Sequence, residues 1–378
     1  MNTERLAVLL LGFLLLACNK SEDGPSLPPT PNEGVDTRYT IVSSAGNMIS
    51  ASNLDANLLS IGESSGGLTT DDIPQAEQLF REGNSFSFLR SLSDCSAELS
   101  LWNTDQASHE TKVVFADELD CDREVLTISH NASTIYIAFS LPGLGLKEKQ
   151  YYIEALPRNN GSPGFGLVEL QAEPKTILTS ASKLFVLTYD IATDKYGLLV
   201  LDEASGTPVY DMDLGLEVLK VLKNSSGNIL VSYALRHIIV NASTLEVITR
   251  VLYTEGKEPN FGNSVADYFD ANGVLYYAMP TNMQNSDYEH IPGVYDFDKH
   301  TAYLYYYQNF LTEDRRALYN IGDTRSVSFD HHNGLILIGY QKSGAGERGG
   351  LLRIKPIPEP KLVDKTDLDG IPLYIAVK

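Results

Sequence analysis

Short runs of apolar residues recur along almost the whole chain after Asp36, and each run is bounded by Gly, Asn, Asp or Pro. The runs are rich in Val, Ile, Leu, Tyr and Phe and lack helical periodicity, so they predict β-strands joined by turns. The stretch from Asp72 to Arg81 is the most helix-like part of the chain. The pattern therefore predicts an all-β protein.

The predicted strands fall into units of four that repeat along the chain. One unit comprises Thr176 to Ser180, Leu184 to Tyr189, Tyr196 to Asp202 and Pro208 to Asp213, and the next comprises Val218 to Leu222, Ile229 to Tyr233, His237 to Asn241 and Val247 to Tyr253. Two later units share a turn between their first two strands, at Asn272-Gly273 and Asn333-Gly334. Asn-Gly is a strong hairpin signal because both residues tolerate positive φ. Repeated four-stranded units are typical of a β-propeller.

The two ends of the chain complement each other. The first unit has only three strands of its own, around Tyr39 to Ser43, Met48 to Ser52 and Leu58 to Ile61, whereas Ile371 to Val377 is a surplus strand. We predict that residues 37–378 form a seven-bladed propeller in which the last strand completes the first blade and closes the ring, leaving no open edge. Two stacked β-sandwiches, or a propeller of six or eight blades, are the alternatives.

This blade pattern resembles the seven-bladed lipoprotein propellers of Bacteroidota and, more distantly, the YVTN-type repeat propellers related to quinoprotein dehydrogenases. The resemblance covers most of the chain. Some such lipoproteins sit beside outer-membrane transporters and capture ligands such as iron-chelator complexes or glycans. The resemblance therefore implies an extracytoplasmic binding protein that assists nutrient uptake, although one fold of this kind hosts many functions.

Residues 1–17 have the pattern of a secretory signal, with Arg5 ahead of an apolar run that is too short to span a bilayer. The run ends in Leu15-Leu16-Ala17-Cys18, which resembles the lipobox of bacterial lipoproteins and implies that Cys18 is lipidated. An ordinary signal cleaved elsewhere is the alternative. Residues 18–36 are rich in proline and acidic residues and predict a disordered tether. We expect the protein at the outer membrane or cell surface, with a periplasm-facing position also open.

The net charge of −20 disfavours nucleic acid and anionic lipid as partners, because both would be repelled. Contact with the membrane is therefore expected through the lipid anchor alone.

Two cysteines remain once Cys18 is assigned to the lipid. Ser96 to Thr104 and Thr111 to Asp117 predict a hairpin, which places Cys95 and Cys121 close together at its open end. An oxidising compartment would let them form a structural disulfide. Two separate buried thiols are the alternative.

Three long loops in the last two blades should meet on one face of a propeller: Met279 to Pro292, Gln308 to Asp323 and Gln341 to Gly349. They carry basic and aromatic residues that could bind an anionic or aromatic ligand. These predicted ligand-binding residues are Tyr288, His290, Arg315, Arg316, Tyr319, Lys342 and Arg348. The alternative is ordinary solvated loop chemistry, in which the arginines pair with Asp287, Glu289, Glu313 and Asp314.

The sequence contains no His-Glu-x-x-His, phosphate-loop or Cys-x-x-Cys motif. His331 and His332 are better explained as turn residues than as metal ligands, because neighbours on a strand point to opposite faces. We therefore predict no catalytic residue, no cofactor and no metal. The leading hypothesis is a non-enzymatic lipoprotein that binds a small molecule or glycan; the alternatives are a scaffold for another envelope protein and a polysaccharide hydrolase or lyase.

Overall fold

The computed structural model describes residues 36–68, 73–74, 76–116, 121–143, 149–158, 165–261, 267–281, 287–344 and 346–378. Its strands form seven antiparallel sheets, arranged as a seven-bladed β-propeller. The all-β, seven-bladed prediction is confirmed. The predicted signal at 1–17, Cys18 and all but the end of the predicted tether lie outside the described residues.

The first four blades follow one another along the chain. Blade 1 contains β1 (Thr37–Ala45), β2 (Met48–Ala56), β3 (Ile61–Glu63) and β4 (Ile73–Pro74), which pairs with β2. Blade 2 contains β5 (Gln78–Glu82), β6 (Ser85–Ser91), β7 (Ala97–Asn103) and β8 (Ser108–Val114). Blade 3 contains β9 (Glu124–His130), β10 (Thr134–Pro142), β11 (Lys149–Pro157) and β12 (Leu167–Leu170). Blade 4 contains β13 (Glu173–Ser180), β14 (Lys183–Asp190), β15 (Lys195–Asp202) and β16 (Pro208–Gly215).

The remaining strands complete the ring. Blade 5 contains β17 (Val218–Lys223), β18 (Ile229–Tyr233), β19 (Arg236–Val240) and β20 (Val247–Leu252). Blade 6 contains β21 (Tyr268–Phe269), β22 (Val274–Pro280), β23 (His290–Asp296) and β24 (Thr301–Leu304). Blade 7 contains β25 (Ile321–Asp330), β26 (Leu335–Lys342), β27 (Gly349–Lys355) and β28 (Lys361–Leu368), and the chain ends with β29 (Ile371–Val377). A 3₁₀ turn (Tyr307–Asn309) and helix α1 (Glu313–Tyr319) lie between blades 6 and 7.

The last strand closes the ring as predicted. β29 pairs antiparallel with β1, with Tyr39 opposite Val377 and Ser44 opposite Ile371, and it takes the place of the first strand of blade 1. Strand β29 also packs against β25 of blade 7. The first strand of the chain and the last are therefore joined by one hydrogen-bonded sheet, which leaves no open edge between blades 1 and 7.

The strand order gives the molecule two distinct faces. The innermost strand of each blade lines the central channel of the propeller. These seven strands are β29, β5, β9, β13, β17, β21 and β25. Because neighbouring strands in a blade are antiparallel, the loops between blades and those between second and third strands emerge on the same face. We call this the upper face and the opposite one the lower face. In the described residues, no helix has the length and apolar character needed to cross a membrane.

Three local expectations need correction. The most helix-like stretch, Asp72 to Arg81, is extended where it is described and supplies β5, since burial in the sheet overrides local propensity. In blade 2 the β7–β8 hairpin turns earlier than expected, with Asn103 opposite Ser108. At both Asn-Gly turns only the glycine has positive φ, 78° at Gly273 and 66° at Gly334, so each glycine ends a longer turn.

Candidate functional site

The described parts of the predicted long loops of blades 6 and 7 lie together on the upper face. Asn320, at the end of α1, donates from Nδ2 to the carbonyl of Ser343 at 2.7 Å, and the Ser343 amide donates to the carbonyl of Asn320 at 2.8 Å. These two bonds join the loop between the blades to the β26–β27 loop. We call the seven predicted ligand-binding residues on these loops the rim cluster.

His290 connects the rim cluster to the lining of the channel. It is the first residue of β23, and its backbone N–H donates to Oδ1 of Asp323 at 2.7 Å while its Nδ1 lies 2.9 Å from Oδ2. Asp323 belongs to β25, the innermost strand of blade 7, and is buried. The hydrogen bond with Asp323 raises the pKa of His290, although burial opposes the shift. A ligand at this point would touch both a rim loop and an inner strand.

Glu289 adds a third potential metal ligand beside this pair. The ligand atoms of Glu289, His290 and Asp323 all lie within 4.8 Å of one another. Both oxygens of Asp323 are already bonded to His290, however, and a guanidinium nitrogen of Arg325 lies 3.7 Å from Oδ2. A cation would have to displace that arrangement, so the geometry suits a histidine–carboxylate pair that holds a proton.

The aromatic members of the rim cluster lie in different surroundings. Tyr288 is half-buried, with its ring centroid 4.7 Å from that of the buried Tyr307. Tyr319 is the last residue of α1, and the Lys365 ammonium lies 5.2 Å from its ring centroid. The ring of Tyr288 thus packs against Tyr307, whereas the ring of Tyr319 already contacts the ammonium group of Lys365.

The basic members divide into paired and unpaired residues. Lys342 forms an ion pair with Asp367 at 2.6 Å, so its charge is largely compensated. Arg315 and Arg348 are exposed, and Arg316 is half-buried with its Nε shielded from solvent and without a hydrogen-bond partner. Within the described ranges, no carboxylate lies within the 4.0 Å ion-pairing distance of these three arginines, so the pairing with nearby acidic residues considered above is not seen.

The central channel contains a second set of charges. Arg81 and Glu82 come from β5, Lys220 and Lys223 from β17, and Asp267 immediately precedes β21. Lys220 binds Asp267, and Lys223 binds Glu82 across the channel, from blade 5 to blade 2. Sequence reasoning missed these residues because Arg81 lay in the helix-like stretch and because the innermost position of a strand depends on the closed ring.

Cys95 and Cys121 form a disulfide, with their Cα atoms 4.7 Å apart. The bond joins the loop between β6 and β7 to the connection between blades 2 and 3, both on the upper face. The disulfide forms although the register of the β7–β8 hairpin differs from the expected one. The alternative of two separate thiols does not apply to this structure.

Solved structures similar to this chain are also propellers. A Bacteroides uniformis protein provisionally assigned as a 6-phosphogluconolactonase superposes with a TM-score of 0.52 at 11% identity, over 91% of this chain and 99% of that one. A Lactobacillus plantarum protein superposes with a TM-score of 0.53 at 9% identity, over 91% of this chain and 100% of that one. No protein-family model matches the chain, and no curated protein matches it either. The fold and the comparisons thus define a seven-bladed β-propeller, and the likeness concerns the fold alone.

Proposed function

We propose that the protein is an exported, lipid-anchored propeller that binds a ligand at the upper face, where the rim cluster meets the channel. The observation that carries this proposal is the His290–Asp323 pair, which links a rim loop to an innermost strand. The ligand is a small molecule or glycan, and the protein assists its uptake across the outer membrane. The propeller then serves as a rigid scaffold for the loops that bind the ligand.

Two features support the proposed location. Leu15-Leu16-Ala17-Cys18 has the residues of a lipobox, and the following acidic, proline-containing segment has the composition of a tether. The Cys95–Cys121 disulfide fits an oxidising compartment, since disulfides are rare in the reducing cytosol.

The charge of the rim supports an anionic ligand. Arg315, Arg316 and Arg348 have no carboxylate within ion-pairing distance among the described residues, on a chain with a net charge of −20. A guanidinium group can bind a carboxylate or phosphate through two parallel hydrogen bonds. An anionic group of a glycan or chelator would therefore find donors here.

The test is a binding screen of the purified protein against anionic glycans and small carboxylate chelators. The double variant Arg315→Ala/Arg316→Ala should weaken binding of any hit by about tenfold or more, since charged hydrogen bonds contribute roughly 1.5 to 3 kcal/mol. Arg38→Ala/Arg250→Ala, which removes two arginines outside the rim cluster, should leave affinity unchanged. Equal affinity of both double variants would exclude Arg315 and Arg316 from the site.

A separate observation favours the scaffold function. Leu216, Leu219, Leu235 and Leu252 are exposed, by 56%, 41%, 70% and 78%, at the upper end of blade 5. Neighbouring exposed apolar residues often mark a protein-binding surface. A photo-cross-linking residue at Leu235 should then yield one adduct of defined mass in cells, whereas the same residue at His109, on the outer strand of blade 2, should yield none. An identical pattern at both positions would reject this function.

A further inference from the structure

The side chain of Arg81 extends across the central channel. Arg81 comes from blade 2, yet its guanidinium carbon lies 5.3 Å from the ring centroid of Tyr268 in blade 6 and 5.9 Å from that of Tyr374 in blade 1. The ring of Phe86 in its own blade is 5.5 Å away. The guanidinium is therefore surrounded by aromatic rings from three blades, near the axis of the propeller.

The hydrogen-bonding capacity of Arg81 is largely unused. Its Nε donates to the carbonyl of Gly83 at 2.7 Å. Its Nη2 is shielded from solvent and has no hydrogen-bond partner in the described parts of the chain. A guanidinium has five N–H donors, and leaving them unpaired inside a protein is costly.

A second unpaired donor lies in the neighbouring blade 1. Tyr374 is fully buried, and its hydroxyl also has no hydrogen-bond partner among the described residues. Arg81 and Asp267 are the two charges that act on this hydroxyl, and burial raises its pKa, so it keeps its proton. Arg81 and Tyr374 thus each hold a shielded donor without a partner in the described structure, and the guanidinium carbon lies 5.9 Å from the centre of the tyrosine ring.

Arg81 has no ion-pair partner among the described residues of the channel. Asp267 is bound to Lys220, with side chains only 10% and 15% exposed, and Glu82 is bound to Lys223. Neither carboxylate lies within 4.0 Å of Arg81 in the described structure, so Arg81 leaves one positive charge without a partner. Burial lowers the pKa of Arg81, which reflects the cost of holding that charge away from water.

An ion pair crosses the lower end of the channel. Lys223 and Glu82 are the last residues of β17 and β5, and their ion pair spans the channel from blade 5 to blade 2. Lys223 Nζ also donates to the carbonyl of Thr179 in blade 4 at 3.0 Å. Arg81 precedes Glu82 on β5, so an anion bound to Arg81 would lie on the upper-face side of this ion pair.

We propose that the channel holds a binding site for a small oxyanion, either a carboxylate or a phosphate group, between Arg81 and Tyr374. The oxyanion accepts hydrogen bonds from the guanidinium and the tyrosine hydroxyl and neutralises the unpaired positive charge. Tyr268 and Phe86 flank the site with their rings. The site uses no residue of the rim cluster and does not depend on the function proposed for that cluster.

The test uses acetate and inorganic phosphate as probes, titrated into the purified protein at constant ionic strength set with sodium chloride. Calorimetry should show saturable binding of at least one probe, with a matching rise in Tm. Binding of acetate alone would identify a carboxylate site and binding of phosphate alone a phosphate site. Saturable binding of neither probe would overturn the proposal.

Variants then locate the site. Arg81→Met should weaken binding by about tenfold or more, and Tyr374→Phe, which removes one oxygen from a buried ring, by about fivefold. Arg348→Ala and Arg315→Ala/Arg316→Ala should bind the probe as the wild type does. If Arg81→Met does not fold, Tyr374→Phe decides the question. If both variants fold and both bind the probe with wild-type affinity, the site is rejected. If Arg81→Met is unfolded, wild-type affinity in Tyr374→Phe alone rejects it.

Discussion

The hydroxyl of Tyr39 donates a hydrogen bond to the carboxylate of Asp330, although the two residues are 291 positions apart. Tyr39 is on β1 and Asp330 ends β25, so the bond ties blade 1 to blade 7. Both side chains are fully buried, and Asn333 Nδ2 donates to the same carboxylate oxygen at 2.9 Å. The ring is thus closed by side chains as well as by the β1–β29 pairing.

Removing the Tyr39 hydroxyl should weaken this closure. Tyr39→Phe keeps the packing of the aromatic side chain but deprives the buried carboxylate of Asp330 of one hydrogen-bond donor. This loss should lower the free energy of unfolding by about 1 to 3 kcal/mol. Denaturant unfolding measures the change. Tyr210→Phe, on the outer strand of blade 4, is the control and should change stability very little. A Tyr39→Phe protein as stable as its control would show that the bond contributes nothing.

Arg353 should contribute more than Tyr39 to the stability of the contact between blades 1 and 7. Its side chain is fully buried, binds Asp364 through Nε at 2.7 Å and through Nη2, and donates from Nη1 to the carbonyl of Asn57 in blade 1 at 2.6 Å. Arg353→Met would leave Asp364 without its cation and should cost roughly 3 kcal/mol or more. Arg325→Met, at an exposed arginine on β25, should cost less than about 1 kcal/mol. Similar losses in the two variants would contradict a special role for Arg353.

The disulfide should stabilise the fold because it restricts the unfolded chain. Cys95 and Cys121 are 26 positions apart, and closing a loop of that length reduces the freedom of the unfolded chain by roughly 3 to 4 kcal/mol in the entropic model. Cys95→Ser and Cys95→Ser/Cys121→Ser should lose similar amounts, measured by denaturant unfolding. Dithiothreitol should lower the Tm of the wild type and leave that of the double variant unchanged. Equal sensitivity of the two proteins to the reductant would count against the bond.

Acid should destabilise the fold through a buried histidine. His130 is fully buried, and burial lowers its pKa to about 3, with Arg158 and Lys223 adding to the effect. Below its ordinary pKa of about 6.5 the unfolded chain binds a proton that the folded chain does not, so stability falls as the pH drops from about 6.5 toward 3. The loss approaches about 1.4 kcal/mol per pH unit for one such group.

His130→Gln should make the unfolding free energy less dependent on pH between about 6.5 and 4, whatever its effect at neutral pH. His109→Gln, at an exposed position on β8, should keep the wild-type slope. The measurement is denaturant unfolding at a series of pH values. A slope in His130→Gln that equals the wild-type slope would mean that His130 does not stay neutral in the folded protein.

The sequence predicts the fold more fully than the site. Strand runs and turn residues are local signals. The one-strand deficit of the first unit, together with the surplus strand from Ile371 to Val377, predicts the closure correctly. The partners of Lys342 and Tyr319 could not be predicted, since Asp367 and Lys365 come from an outer strand whose register depends on packing. Arg81 was hidden for a related reason, because only the closed ring brings it to the rings of Tyr268 and Tyr374.

The proposal that the protein is exported and lipid-anchored depends most directly on Cys18. Cells that express the full chain and are fed a labelled fatty acid should incorporate the label into the protein, which should fractionate with the outer membrane. Cys18→Ser should abolish labelling and membrane association, whereas Cys95→Ser should retain both. Labelling that persists in Cys18→Ser, or an unlabelled wild-type protein in the cytosolic fraction, would contradict the account.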